Sequence, residues 1–225
     1  MSATAIVGKS GTGKSTSYGQ LPELGIKGLP PEKTVVINVA NKDLPFKGWK
    51  KQYKGKLQEN GNYYQTSNAD NIAKAILYIE KNRPDIDYII IDDGQYIMSF
   101  EFMSRAKEKG YDKFTDIGVN ITKVVNAARM SSKQVFFLWH PEVDDTSGFK
   151  MKTAGKMVDN YLTMEGLFSI VLYTDVYKED ETFKYRFVTN HTSSYPAKSP
   201  VGMFDLYIPN DLGYVVTKIN EYNEG

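Results

Sequence analysis

Residues 8–15 read Gly-Lys-Ser-Gly-Thr-Gly-Lys-Ser and follow directly on the apolar run Thr4-Ala5-Ile6-Val7. No other stretch of the chain constrains the fold as strongly. Glycines at this spacing let successive backbone N–H groups curl around an anion. The pattern matches the phosphate loop at every required position. It predicts a helix starting near Lys14, with its N-terminal dipole aimed at the same anion. Strand, glycine loop and helix in that order open an α/β unit. Gly8, Lys9, Ser10, Gly11, Thr12 and Gly13 would cradle phosphates, with Lys14 on the outer ones. The Ser15 hydroxyl would ligate Mg²⁺, and Thr16 would lie beside the α-phosphate. The bland alternative is a glycine-rich turn that binds nothing.

Three further apolar runs read as buried parallel strands: Thr34–Val39, Tyr88–Asp92 and Gln134–Trp139. Amphipathic patterns lie between them at 71–81, 96–109 and 116–130. Pro84 ends the first, and Asp116 stands at the expected N-cap of the last. Residues 168–178 and 182–189 alternate apolar and polar, with Lys178-Glu179-Asp180-Glu181 as a turn, which predicts an antiparallel hairpin. Alternating strands and helices predict an α/β fold built on a mostly parallel sheet, as one domain over 1–225. Its core would span about 3–140, with a C-terminal β extension over about 158–225.

Ile89-Ile90-Ile91-Asp92-Asp93 supplies the partner that a phosphate loop needs. Asp92 at the strand end can reach the Mg²⁺ shell. Asp93 either polarises an attacking water or caps the next helix. Asn41-Lys42-Asp43 resembles a guanine-reading motif but precedes the acidic strand, and it reads as loop. The only arginines are Arg83, Arg105, Arg129 and Arg186, with no cluster to form a kinase lid.

Composition limits the partners. Lys plus Arg total 28 against 27 for Asp plus Glu. Permanent nucleic-acid coating normally needs a strongly basic chain, so any such contact must be local. With no Cys, a disulfide framework, a thiolate zinc site and a Cys nucleophile are excluded. Two His, His140 and His191, argue against a His-rich metal site. No apolar run approaches 18 residues, so no membrane span is expected. The early first strand leaves no room for a signal peptide, which points to the cytoplasm.

Three more features carry a family resemblance. His140 follows the strand ending Phe137-Leu138-Trp139. A polar loop over 141–157 follows, with Lys150, Lys152 and Lys156. Lys198-Ser199-Pro200-Val201-Gly202 resembles a Lys-x-Arg-x-Gly segment with Pro200 in the Arg place. Together with the glycine loop and Asp92, these resemble the RecA-like P-loop ATPases. The layout is similar to the small phage-encoded members grouped with single-strand annealing proteins. The resemblance implies a RecA-like core with helices on both sheet faces and ATP with Mg²⁺ as ligands. It also implies action on single-stranded DNA in phage recombination, annealing or replication, in the host cytoplasm. His140 would sense the γ-phosphate, and the loop after it would contact DNA. Assembly as a homo-oligomer would bring Lys198 to a neighbour's nucleotide. One departure is the absence of a Glu at the end of the second strand, which puts efficient turnover in doubt.

Residues 47–56 hold five Lys, two aromatics and no acid. Lys47, Lys50, Lys51 and Lys54, with Trp49 and Tyr53 for base stacking, form a second candidate DNA surface. A solvated lysine loop is the plain alternative. Two other functional classes stay open: a nucleotide-dependent interaction module, such as a helicase loader or packaging partner, and a small-molecule phosphotransferase.

Overall fold

Each apolar run becomes a strand because it buries both faces at once. The computed structural model describes residues 3–144 and 148–225. Strands β1 (Thr4–Val7), β2 (Thr34–Asn38), β4 (Tyr88–Asp92) and β5 (Gln134–Trp139) are almost wholly buried. Short β3 (Tyr63–Gln65) pairs alongside β2. A long hairpin of β8 (Ile170–Glu179) and β9 (Thr182–Val188) follows, and then β10 (Tyr207–Pro209). The eight strands form one sheet in the order β10-β9-β8-β1-β5-β4-β2-β3. All pairs from β8 to β3 are parallel, and the β8–β9 and β9–β10 pairs are antiparallel. The fold is therefore α/β with a mostly parallel sheet.

Alternation along the strands divides the interior into two cores. Ala5, Val35, Ile37, Ile89, Ile91, Val135 and Phe137 face one side. There they meet α2 (Ala69–Asn82), α3 (Tyr96–Ser104) and α4 (Asp112–Met130). Ile6, Val36, Ile90, Phe136, Leu138 and Leu172 face the other side. That side is covered by α6 (Leu212–Glu224) and by Tyr18, Phe46 and Tyr53. Two one-turn helices, α1 (Trp49–Gln52) and α5 (Lys156–Asp159), lie in the connections. None of the described helices is long and apolar enough to cross a membrane.

Several expectations are corrected. No α-helix follows the glycine loop, only a 3-10 turn at Thr16–Tyr18. The chain doubles back there: Leu29 N–H donates to the Tyr18 carbonyl at 2.9 Å. A Cβ at Gly28 would come within 2.2 Å of the Gly19 carbonyl oxygen, so the two segments of backbone cross in close contact and only glycine fits at 28. Pro22, Pro30 and Pro31 then hold the segment irregular. The helix-dipole contribution at Lys14 is lost with the helix.

Asp116 caps nothing. Helix α4 begins four residues earlier, and Arg105 Nη2 donates to the Asp116 carboxylate at 2.7 Å. Strand β8 is no peripheral addition, because it pairs directly with β1, register Thr4↔Ile170 to Val7↔Tyr173. The expected polar loop after His140 contains its own antiparallel hairpin, β6 (Pro141–Asp144) with β7 (Gly148–Met151). Helix α6 was not foreseen, although Leu212, Val215, Val216 and Ile219 carry helical spacing and Asp211 accepts from Gly213 N–H as its cap.

Candidate functional site

The glycine loop leaves β1 at the carboxyl end of the parallel strands, where α/β sheets place their ligands. Gly8 N–H donates to the Trp139 carbonyl at 3.0 Å, so the loop starts in register with β5. A Cβ at Gly8 would stand 1.8 Å from Thr174 Oγ1, so only glycine fits beneath β8. Gly13 has φ +92 and packs on Asn210. Thr12 Oγ1 lies 2.6 Å from Thr174 Oγ1 and donates to the Lys9 carbonyl at 2.8 Å. Thr12 thus braces the loop from within. The Lys9 side chain also turns away, with its Nζ 4.9 Å from the centre of the Phe149 ring in β7.

Ser10, Gly11, Gly13, Lys14, Ser15 and Thr16 line a cavity of about 850 Å³. Gly8, Lys9 and Thr12 shape the loop without lining it. Lys14 is buried, and its ammonium donates to the Gly8 and Lys9 carbonyls at 2.7 and 2.9 Å. Burial pulls its pKa down to about 8, against the opposing pull of Asp93 and Asp92.

Asp92 ends β4 opposite the loop. Ser15 Oγ donates to Asp92 Oδ1 at 2.9 Å, and the Tyr18 hydroxyl donates to Oδ2 at 3.0 Å. Burial and the neighbouring Asp93 charge push the Asp92 carboxyl above the usual carboxylate range, despite these hydrogen bonds. A cation beside it would reverse that shift. Among the described residues, no three His, Asp or Glu side chains are grouped so that they could hold a metal ion by themselves. A hydroxyl and one carboxylate are nonetheless the hard-oxygen donors that Mg²⁺ takes when phosphates and water complete its shell. The residues present fit that ion.

Asp93 is 1% exposed and sits at φ +60, a left-handed conformation that turns its side chain into the cavity wall. Lys42 Nζ forms an ion pair with Oδ2, and His140 Nε2 lies 3.2 Å from Oδ1. Burial pushes the Asp93 carboxyl up, but the bonds from His140 and Lys42 outweigh it and hold it below its usual range. The capping alternative for Asp93 falls away, since both its oxygens face these partners. His140 is fixed in turn: its backbone N–H donates to buried Gln95 Oε1 at 3.3 Å. Strand β5 stands between β1 and β4, so His140 emerges between the glycine loop and the acidic pair.

Sequence reasoning missed Lys42, which it left in a loop. It also missed the far wall of the cavity, formed by Leu24, Ile26, Tyr177, Tyr185, Pro209 and Asn210. No local motif signals these residues. The β8–β9 hairpin brings in Tyr177 and Tyr185, the chain before α6 brings in Pro209 and Asn210, and Leu24 and Ile26 come from the segment that follows the glycine loop.

Other expected site residues lie elsewhere. Tyr53 is buried against Tyr18 and Phe46 and offers no ring to a base. Trp49 packs on Tyr63, with Lys50 Nζ 5.2 Å from its ring centre. Lys47, Lys50, Lys51 and Lys54 are exposed, and Lys50 sits 3.5 Å from Asp43. Lys150 is occupied by Glu142 at 3.0 Å and Asp159 at 2.7 Å, so it is no free phosphate contact. Lys152 and Lys156 are exposed. The Lys198 backbone bridges Val171 in β8, and Lys198 does not line the cavity. Compared with known proteins, the chain matches no protein-family model and no curated protein.

Proposed function

We propose that the chain binds a nucleoside triphosphate with Mg²⁺ in this cavity and hydrolyses it, as an ATPase of RecA-like type. The observation that carries the reading is the convergence of Lys14, the Ser15–Asp92 pair and the Asp93–His140 pair at one end of the sheet. Loop N–H groups and Lys14 hold the phosphates. Ser15 and Asp92 would hold Mg²⁺, which would neutralise charge on the outer phosphate oxygens. His140, oriented by ionised Asp93, positions a water in line with the terminal phosphorus. The water oxygen bonds to phosphorus as the bond to the bridging oxygen breaks, leaving diphosphate with that electron pair. The water's protons pass to the released phosphate and solvent.

Action on single-stranded DNA rests on the resemblance, with the exposed lysines near Trp49 as its contact. Assembly through Lys198 rests on the same ground. A second reading, a nucleotide-dependent interaction module, is favoured by Asn38. That residue pairs in register with Asp92 where the family carries an acid, and its amide is already bonded to the Lys42 carbonyl and the Tyr63 hydroxyl.

The test is ATP hydrolysis with and without single-stranded DNA, alongside Lys14→Ala. Hydrolysis that DNA stimulates and the variant loses is expected. Nucleotide binding with negligible turnover selects the second reading. If no DNA is bound at low salt in any nucleotide state, the DNA assignment is wrong.

A further inference from the structure

Lys42 stands at the phosphate end of the cavity without belonging to the glycine loop or to the acidic strand. Its position is built. Asn38, 1% exposed at the end of β2, donates its amide to the Lys42 carbonyl at 2.6 Å and to the Tyr63 hydroxyl at 2.6 Å. Asn41, in the left-handed region at φ +53, turns the chain sharply just before Lys42. A non-glycine residue held there needs its surroundings to fix it. The result is an ammonium delivered onto Asp93 Oδ2.

The two partners of this ion pair differ. Asp93 is 1% exposed and held on its other oxygen by His140, whereas the Lys42 side chain is 52% exposed along the cavity wall. Lysine is a flexible point charge that can exchange one anion for another. Asp93 would keep its contact with His140 after Lys42 left, so one of its two oxygens would stay partnered. A terminal phosphate in the cavity, seated by Lys14, offers the anion of higher charge.

Resting on the triphosphate reading above, we infer that Lys42 is a specificity residue that reads the terminal phosphate, leaving Asp93 for it and so distinguishing a nucleoside triphosphate from the diphosphate. The exchange also frees Asp93 Oδ2 to face the cavity. Lys42 is then a phosphate contact supplied within the chain, independent of any neighbouring copy.

The test measures binding of ATP and ADP, each with Mg²⁺, to the full chain, to Lys42→Gln and to Lys42→Arg. Circular dichroism checks folding. In the native chain ATP is expected to bind more tightly than ADP. Lys42→Gln is expected to weaken ATP binding roughly tenfold or more, the size of a lost charged hydrogen bond, and to leave ADP binding within about twofold. Lys42→Arg keeps most of the preference. If Lys42→Gln does not fold, Lys42→Arg together with Lys42→Gln/Asp93→Asn, which removes both charges, decides the question. Loss of the ATP preference only where the cation is absent supports the inference. A preserved ATP-to-ADP ratio in the Gln variants, or equal weakening of both nucleotides, overturns the role of Lys42 while leaving the nucleotide site intact. A native chain that binds neither nucleotide overturns the site reading itself.

Discussion

The glycine loop and the lysine-rich segment at 47–56 both look like anion-binding sequence, and the fold treats their polar groups in opposite ways. Around the loop, Lys14, Asp92 and Asp93 are buried, and their partners come from the loop itself, the turn that follows it, the residue after β5 and the turn after β2. In the second segment the lysines stay in solvent, while Tyr53 enters the core beneath Tyr18. The loop's spacing specifies backbone geometry, and that geometry survives folding. The second segment shares only composition, and composition says nothing about which side chains turn inward. Buried charges with assigned partners mark functional sites more strongly than exposed charges do.

The contrast can be broken most sharply at Tyr53. Tyr53→Ala is expected to cost about 3–5 kcal/mol of stability, as for other large buried aromatics, read by denaturant unfolding. A stability loss below about 1 kcal/mol, coupled to loss of DNA binding, would restore Tyr53 as a surface stacking residue. Next in size, Lys14→Ala should lower nucleotide affinity roughly 100-fold, equivalent to about 2.7 kcal/mol, in a titration with a fluorescent nucleotide. Unchanged affinity would reduce the glycine loop to a structural turn.

The pH response sharpens the contrast from the buried side. The Lys14 pKa is lowered from 10.5 to about 8. Between those values the unfolded chain binds the extra proton, so stability rises with pH there. Lys14→Met has no such proton. Its stability relative to the native chain should therefore fall as pH goes from 8 to 10, by about 1–3 kcal/mol. Over the same range the native chain's nucleotide affinity should drop, because neutral Lys14 attracts phosphate less. Parallel stability curves for the two proteins would show that Lys14 is not buried as described.

The smallest effect belongs to the exposed charges. Replacing Lys47, Lys50 and Lys51 together by Ala should change stability by no more than about 0.5 kcal/mol and nucleotide affinity by less than about twofold. Any loss of single-stranded DNA binding in that variant, steepest at low salt, would assign the segment its DNA role.

Much of the sheet was legible because buried parallel strands leave continuous apolar runs. The spans Tyr88–Asp92 and Gln134–Trp139 appear as expected. The helix after the loop was not excluded by local pattern. Pro22 limits how far a helix could run from Lys14, and the Gly19–Gly28 crossing, a contact between segments of backbone, adds a tertiary constraint that no local stretch shows. The α6 helix was written plainly in its spacing at 212, 215, 216 and 219.

The sequence by itself determined the glycine loop, the acidic strand end and His140, because each is specified by residue type at a fixed place beside a strand. Tertiary structure alone decided which of them meet. It inserted β5 between β1 and β4, set His140 on Asp93, and brought β8 against Gly8. It also turned Lys42 from a loop residue into a partner of a buried carboxylate. Strand order and left-handed turns are set by how the whole chain packs, and no local stretch of sequence encodes them.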